Sequence, residues 1–158
     1  MKRLWAPWRV VYLEQGTRAP GCFFCAALGS DDERAHLVMV RDEHSIVMLN
    51  KYPYGHGHLL VAPRRHVAQP RELSDGEYQG LMLALRRAAA VVERAFAPEG
   101  MNIGMNLGRA AGAGVADHCH WHVLPRWNGD TNFMPVIADV KVMSEHLEAT
   151  LDRLRACL

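Results

Sequence analysis

The stretch Asp117-His118-Cys119-His120-Trp121-His122-Val123-Leu124-Pro125-Arg126 sets three histidines at every second position, with Cys119, Trp121 and Val123 between them. A β-strand sends alternate side chains to opposite faces. An extended chain here therefore lines His118, His120 and His122 along one face and turns Cys119, Trp121 and Val123 into a core. A helix would fan the same imidazoles around its axis. Trp121 and Val123 favour the strand, and Pro125 is expected to end it. Neutral imidazole is the side chain best suited to act near pH 7 as nucleophile, acid, base or metal ligand. One such histidine would read as an ordinary half-buried residue, but three on one face make a site.

The segment feeding this strand, Gly108-Arg109-Ala110-Ala111-Gly112-Ala113-Gly114, is rich in glycine. Such loops let backbone N–H groups cradle phosphate oxygens. The signal is weak alone and gains weight beside three histidines and Arg109. For a phosphate ester or anhydride, an imidazole nitrogen can attack phosphorus in line and divide one hard transfer into two easier ones. His120, flanked on both sides, is the natural nucleophile. His122 can donate to a non-bridging oxygen as charge develops. His118 can orient its neighbours or ligate a metal. A neutral nucleophile implies that activity falls as pH drops below the histidine pKa.

Gly21-Cys22-Phe23-Phe24-Cys25 holds a C-x-x-C pair, which is either a redox couple or half of a metal site. No thioredoxin-like βαβ pattern surrounds it, so a metal is favoured over redox, with two buried free thiols as the plain alternative. Structural zinc takes four nitrogen or sulfur ligands. His118 and His122 have the spacing of a finger's histidine half, but that half belongs on a helix. A mixed set fits better, with one histidine from the Pro63-Arg64-Arg65-His66 turn and one from the histidine strand. Cys119 and Cys157 are read as packing residues.

The remaining chain must position these groups. His36 to Val40 and His44 to Asn50 read as strands around an Arg41-Asp42-Glu43 turn, and Gly57 to Ala62 as a third strand stopped by Pro63. Asn50 reads equally as a turn residue or a site residue, and His58 equally as a packed strand histidine or a site residue. Ser74-Asp75-Gly76-Glu77 is a capping box with Leu73 and Tyr78 at the staple positions. Tyr78, Leu81, Met82, Leu85, Ala88, Ala89, Val92 and Phe96 then follow helical spacing until Pro98-Glu99-Gly100. This stripe is core. Met101 to Leu107 reads as a fourth strand weakened by Gly104, and Ser144 as the cap of a helix with Leu147, Leu151, Leu154 and Leu158 on one stripe. The expected organisation is a single α+β domain over 1–158, with an antiparallel sheet and two main helices, an arm at 1–20 and a C-terminal helix at 143–158. Trp5, Trp8, Tyr12 and Leu13 of the arm are expected to pack on the domain or on a second subunit.

A formal net charge of +1 excludes a global field for nucleic acid or an anionic membrane, so an anionic ligand must be held by local groups. No apolar run approaches the roughly 18–20 residues needed to span a bilayer. Four cysteines in a chain this long do not form a disulfide framework, and the expectation is a reduced, cytoplasmic protein.

His118-x-His120-x-His122 followed by apolar residues, with Gly57-His58-Leu59-Leu60-Val61-Ala62-Pro63 upstream, resembles the histidine triad (HIT) superfamily, and the resemblance runs from about Leu4 to the last helix. It implies an antiparallel sheet of about five strands extended across a homodimer, and a nucleotidyl-histidine intermediate on His120. It places His122 and His58 at the reactive phosphate, Asn50 at the ribose and Asn106 facing the phosphates. Zinc-carrying relatives imply Cys22, Cys25, His66 and His118 as ligands. Leu4-Trp5-Ala6-Pro7-Trp8-Arg9, Trp121 and Pro125-Arg126-Trp127-Asn128-Gly129-Asp130-Thr131-Asn132-Phe133 resemble the bacterial diadenosine tetraphosphate phosphorylases, which pass the nucleotidyl group to inorganic phosphate and release ATP and ADP. Many hydrolase and phosphoramidase relatives carry Ser or Gln shortly before the triad, where this chain has Gly114-Val115-Ala116-Asp117. That departure disfavours a copy of the hydrolase mechanism and leaves the leaving-group acid open, with backbone N–H groups around Gly112 and Gly114 as substitutes at the phosphates. The alternatives are a HIT-type hydrolase or phosphoramidase, a non-catalytic nucleotide-binding module, and a zinc-stabilised interaction protein. A tetramer and a magnesium requirement stay open, since no two-metal carboxylate cluster is visible.

Overall fold

Turn chemistry starts the sheet. Asp42 Oδ1 accepts hydrogen bonds from the backbone N–H groups of His44 and Ser45 and from the Ser45 hydroxyl, a local side-chain bond pattern that reverses the chain. It joins β1 (Val38–Arg41) to β2 (Ser45–Leu49). β3 (Leu59–Pro63), β4 (Gly100–Met105) and β5 (Trp121–Arg126) complete a five-stranded antiparallel sheet in the order β1-β2-β3-β5-β4. Among the described residues the α-helices are α1 (Phe23–Leu28), α2 (Asp75–Phe96) and α3 (Leu147–Arg155). The computed structural model describes residues 21–130 and 143–158. The Trp-rich arm, with Trp5, Trp8, Tyr12 and Leu13, and the Thr131-Asn132-Phe133 segment lie outside the described residues.

Every residue of β2 and β3 is buried, because both sheet faces are covered. Val47, Leu49, Leu59, Val61 and Val123 point to the face packed by α2 and α3, where Leu81, Val92, Leu151 and Leu154 complete the core. Ile46, Met48, Leu60 and Ala62 point to the other face, where Phe24 and Ala27 of α1 meet them. The sequence pattern anticipates two main helices; among the described residues the short α1 is a third, capped by Cys22, containing Cys25 and packing Phe24 and Ala27 on the sheet. Its six residues cannot carry amphipathic periodicity far enough to be read.

The capping box is present in full: Ser74 Oγ accepts from the Glu77 N–H and Glu77 Oε2 accepts from the Ser74 N–H. The buried side of α2 is Leu81, Ala84, Ala88, Val91, Val92 and Ala95, so the stripe is rotated from the expected one and Tyr78 stands exposed. Ala97 closes the helix in the left-handed region. In α3 Leu151 and Leu154 are buried but Leu158 is exposed, and His146, rather than Ser144, takes the N-cap position without a side-chain bond.

Two expectations for the histidine strand need correction. The ladder begins at Trp121, so His118 and His120 precede it outside the strand, where the Cys119 N–H donates to Val67 O at 2.7 Å. Pro125 does not end the strand, which runs to Arg126. The reason is register: β3 pairs with β5 only from Val61↔Trp121 to Leu59↔Val123, while β4 pairs along its whole length. Beyond Val123 the β3 side has ended, so a residue without an N–H costs no ladder bond there.

Candidate active site

The sheet brings His58, at the start of β3, beside His122 of β5, whose cross-strand partners are Leu60 and Gly104. Gly57, just before it, has φ +71°, and a Cβ there would lie 2.8 Å from the Phe96 ring; only glycine admits this close approach. The bonds around His58 fix the tautomers of both rings. The Tyr54 backbone N–H, which can only donate, lies 3.0 Å from His58 Nδ1. Nδ1 is therefore the acceptor, and the neutral ring carries its proton on Nε2. That proton points 2.9 Å to His122 Nδ1, which leaves His122 to carry its own proton on Nε2. Asn50 is oriented by the same logic. Its Oδ1 accepts from the Tyr52 N–H at 2.9 Å, so its Nδ2 donates to His58 Nδ1 at 3.2 Å. Both Asn50 groups keep one further hydrogen-bonding position.

His120 stands next in line, its ring 5.0 Å from that of His122 in an edge-on arrangement. Its Nδ1 lies 2.9 Å from the His118 carbonyl oxygen, so Nδ1 donates and Nε2 keeps a lone pair. Burial holds the His120 imidazolium below the ordinary histidine range, against the opposing effect of that carbonyl. The neutral form with a free Nε2 is the one present at neutral pH. His120 and His122 thus present an acceptor nitrogen and an N–H donor side by side.

His118 turns away from this pair. Its Nδ1 lies 3.3 Å from Cys22 Sγ and 3.7 Å from Cys25 Sγ, and His66 Nδ1 lies 3.3 Å from Cys25 Sγ. All four donor atoms fall within 4.8 Å of one another. A tetrahedral ion with the usual zinc–sulfur and zinc–nitrogen lengths needs sulfur–nitrogen edges of about 3.6 Å, close to the three sulfur–nitrogen distances here, so the cluster fits a metal site. Pro63 O accepts a 2.8 Å bond from His118 Nε2, the outer bond that fixes a ligating imidazole with Nδ1 toward the metal. Burial pushes the Cys22 thiol up, against the opposing hydrogen bonds of the Cys25 and Phe24 backbone; a divalent cation would supply the charge a thiolate there lacks. Among the described residues no other cluster of three or more His, Cys, Asp or Glu donors is present.

The other expected residues divide. Asn106 is half-buried and follows Met105, which pairs with Trp121, so the chain direction carries it toward His120. The Gly108–Gly114 loop is narrower as a cradle than expected. Gly112 donates its N–H to Arg109 O and Ala113 donates to Gly108 O within a short 3-10 turn, which removes two donors from any ligand. Two contributors escaped the sequence reading. Tyr54 supplies the tautomer-setting N–H and lays its ring 4.9 Å from His58 and 5.7 Å from His122; its place in a Pro–Gly loop gave no hint. Phe24 sits 5.0 Å from the His118 ring and 5.1 Å from the His120 ring; its only signal was its position inside the C-x-x-C motif.

An antiparallel α+β sheet protein with a cluster of histidines gathered at one face is the class these features define. The HIT domain family profile matches residues 31–129, and the chain belongs to the HIT family. It is 37% identical, over 95% of its length and 80% of the relative's, to a Mycobacterium tuberculosis protein named AP-4-A phosphorylase. It is 34% identical, over 59% of its length and 50% of the relative's, to a Schizosaccharomyces pombe asymmetrical bis(5'-nucleosyl)-tetraphosphatase. Among solved structures, a zinc-bound histidine triad family protein from Mycobacterium smegmatis superposes with a TM-score of 0.69 at 28% identity, covering 87% of this chain and 92% of that one. No described helix is long and apolar enough to cross a membrane.

Proposed function

We propose that this HIT-family chain is a nucleotidyl transferase that cleaves diadenosine tetraphosphate by phosphorolysis, with His120 as nucleophile. The observation that carries the reading is the pairing of a neutral, tautomer-fixed His120 Nε2 with the His122 Nε2–H beside it. The Nε2–P bond forms on the α-phosphate as the bridging P–O bond breaks, and ATP leaves. His122 donates to a non-bridging oxygen while charge accumulates there. An oxygen of inorganic phosphate then attacks the same phosphorus, the imidazole departs, and the product is ADP. Asn50, through its remaining donor and acceptor positions, holds the ribose, and Asn106 and the loop around Gly114 face the phosphates. The AP-4-A phosphorylase name of a relative matched along 95% of this chain supports phosphate as acceptor. The tetraphosphatase relative favours a second reading, in which water takes that place and the products are AMP and ATP.

Zinc is the ion proposed for Cys22, Cys25, His66 and His118, on the two thiols, the two Nδ1 atoms and their spacing. It supplies structural cross-linking between α1, the turn after β3 and the segment before β5. We propose a homodimer joined through β4, one of the two edge strands of the sheet, which leaves Asn102 and Ile103 exposed. The protein incubated with diadenosine tetraphosphate, with and without phosphate, gives ATP and ADP only with phosphate if the reading holds. AMP and ATP in water alone would move it to hydrolysis, and full turnover by His120→Gly would remove the nucleophile assignment.

A further inference from the structure

We infer that Phe24 is a positioning residue for His120, the device by which the metal cluster and the nucleophile share one rigid support. This rests on the nucleophilic role proposed for His120. The helix that carries Phe24 also presents both thiols: Cys22 caps α1, Cys25 lies in it, and the Ala26 N–H bonds to Cys22 O at 3.0 Å. The ring between the two cysteines points the other way along the same turn, into the sheet. It is fully buried against Val38, Ile46, Met48, Leu60 and Ala62. It lies tilted against two imidazoles at once, with ring centroids 5.0 Å from His118 at 44° and 5.1 Å from His120 at 45°.

His120 needs such a support. The Nδ1 bond to the His118 carbonyl fixes one ring atom, but a ring held at one edge still swings about that bond. His122 bounds the swing on one side at 5.0 Å. Phe24 bounds it where the core lies, and being apolar it offers no alternative partner that would reward a flipped ring. An aliphatic side chain of similar volume fills the space yet presents no flat wall. The neighbouring Phe23 does not substitute, because it is 40% exposed. Phe24 touches no substrate in this scheme. It acts through His120, and a metal held by Cys22 and Cys25 fixes the helix from which it acts.

The test compares zinc-loaded wild type with Phe24→Leu and Phe24→Met. Turnover of diadenosine tetraphosphate with phosphate is measured alongside zinc content and the ¹⁵N–¹H spectrum of the histidine rings. Misplacing a reacting atom by about 1 Å costs up to roughly a hundredfold, so kcat is expected to fall about tenfold or more with KM little changed. Zinc is expected to stay at the wild-type ratio, while His120 passes from a single Nδ1–H form to mixed tautomers. Unchanged kcat in a folded variant overturns the inference, as does a kcat loss that merely tracks zinc loss. If neither variant folds, the wild-type spectrum decides: two His120 tautomers already present would overturn the inference, and one would support it. His120→Gly is run in parallel. Retained turnover there sinks the nucleophile reading itself, whereas its loss alongside unaffected Phe24 variants sinks only the positioning role.

Discussion

Replacing His58 by Leu tests the tautomer chain directly. The side chain is fully buried, and Leu fills much of its volume without a nitrogen. The substitution strips the Tyr54 N–H and Asn50 Nδ2 of their shared acceptor and His122 Nδ1 of its donor. The groups that lose this partner are half-buried or exposed rather than fully buried, so the total loss in unfolding free energy is expected to be about 1–3 kcal/mol, visible as a lower melting temperature. The kinetic effect is separate. His122 no longer has Nδ1 held as an acceptor, so its Nε2–H is no longer dictated, and partners that orient a working imidazole are typically worth about 10–100-fold. That corresponds to roughly 1.4–2.7 kcal/mol of transition-state stabilisation.

His58→Gln separates the two effects. An amide side chain has an acceptor oxygen for the Tyr54 N–H and a donor nitrogen for His122 Nδ1, the same polarity as the histidine it replaces. Partial recovery of kcat over His58→Leu is therefore expected, with the ¹⁵N signature of a His122 Nε2–H tautomer restored. The assay is initial rate of ATP and ADP formation from diadenosine tetraphosphate with saturating phosphate. A His58→Leu protein with wild-type kcat would refute the chain of bonds as a functional device. Equal damage in both variants, despite equal folding, would refute the tautomer argument and leave only packing.

Three other perturbations have defined outcomes. Stripping the metal with a strong chelator is expected to remove one zinc per chain and lower the melting temperature; a ligand at a hundredfold over its Kd contributes about 2.7 kcal/mol, or roughly 5–10 °C for a chain of this size, and an unshifted melting curve or substoichiometric zinc in replete protein would exclude a structural ion. Glu77, held down to about 2 chiefly by Arg65 and then by the Ser74 backbone, contributes stability that is present above the ordinary carboxyl value near 4.5 and lost as pH falls through about 2. Glu77→Gln should then flatten the acid limb of the melting temperature between those pH values, and an identical limb in the variant would contradict the capping and ion-pair geometry. Ile103→Lys on the exposed β4 edge should give a monomer by sedimentation velocity, with zinc content unchanged; a persistent dimer would relocate the interface.

What could be read from the residues alone follows from the range of the forces involved. The capping box and the Asp42 turn are local rules, satisfied within three or four residues, and the structure meets both; the alternate-residue histidines are met in part, since His118 turns to the cysteines. Apart from the α3 cap, where His146 stands in the place expected of Ser144, the main errors involve partners distant in sequence. Pro125 looks like a strand end until the early finish of β3 is known. Gly112 looks like a free phosphate donor until the 3-10 turn claims its N–H. Tyr54 has no local signature because its contribution is a backbone N–H aimed across a loop at His58.

The short helix α1 shows how these two kinds of information combine. Continuous apolar residues in Ile46-Val47-Met48-Leu49 and Leu59-Leu60-Val61-Ala62 do not alternate as a half-exposed antiparallel sheet would, so something must cover the face opposite α2. Only Phe24, Ala27 and their helix do so among the described residues. A six-residue helix is marginal alone, and its N-cap residue Cys22 makes no side-chain cap bond. Its stability must come from outside the helix: from burial of Phe24 and, with the proposed ion bound, from the link between Cys22, Cys25, His66 and His118. Under the proposed zinc reading, the ion that steadies α1 also secures the hydrophobic cover beneath His120. Loss of that ion is then expected to expose Leu60 and Met48 and to loosen the support of His120.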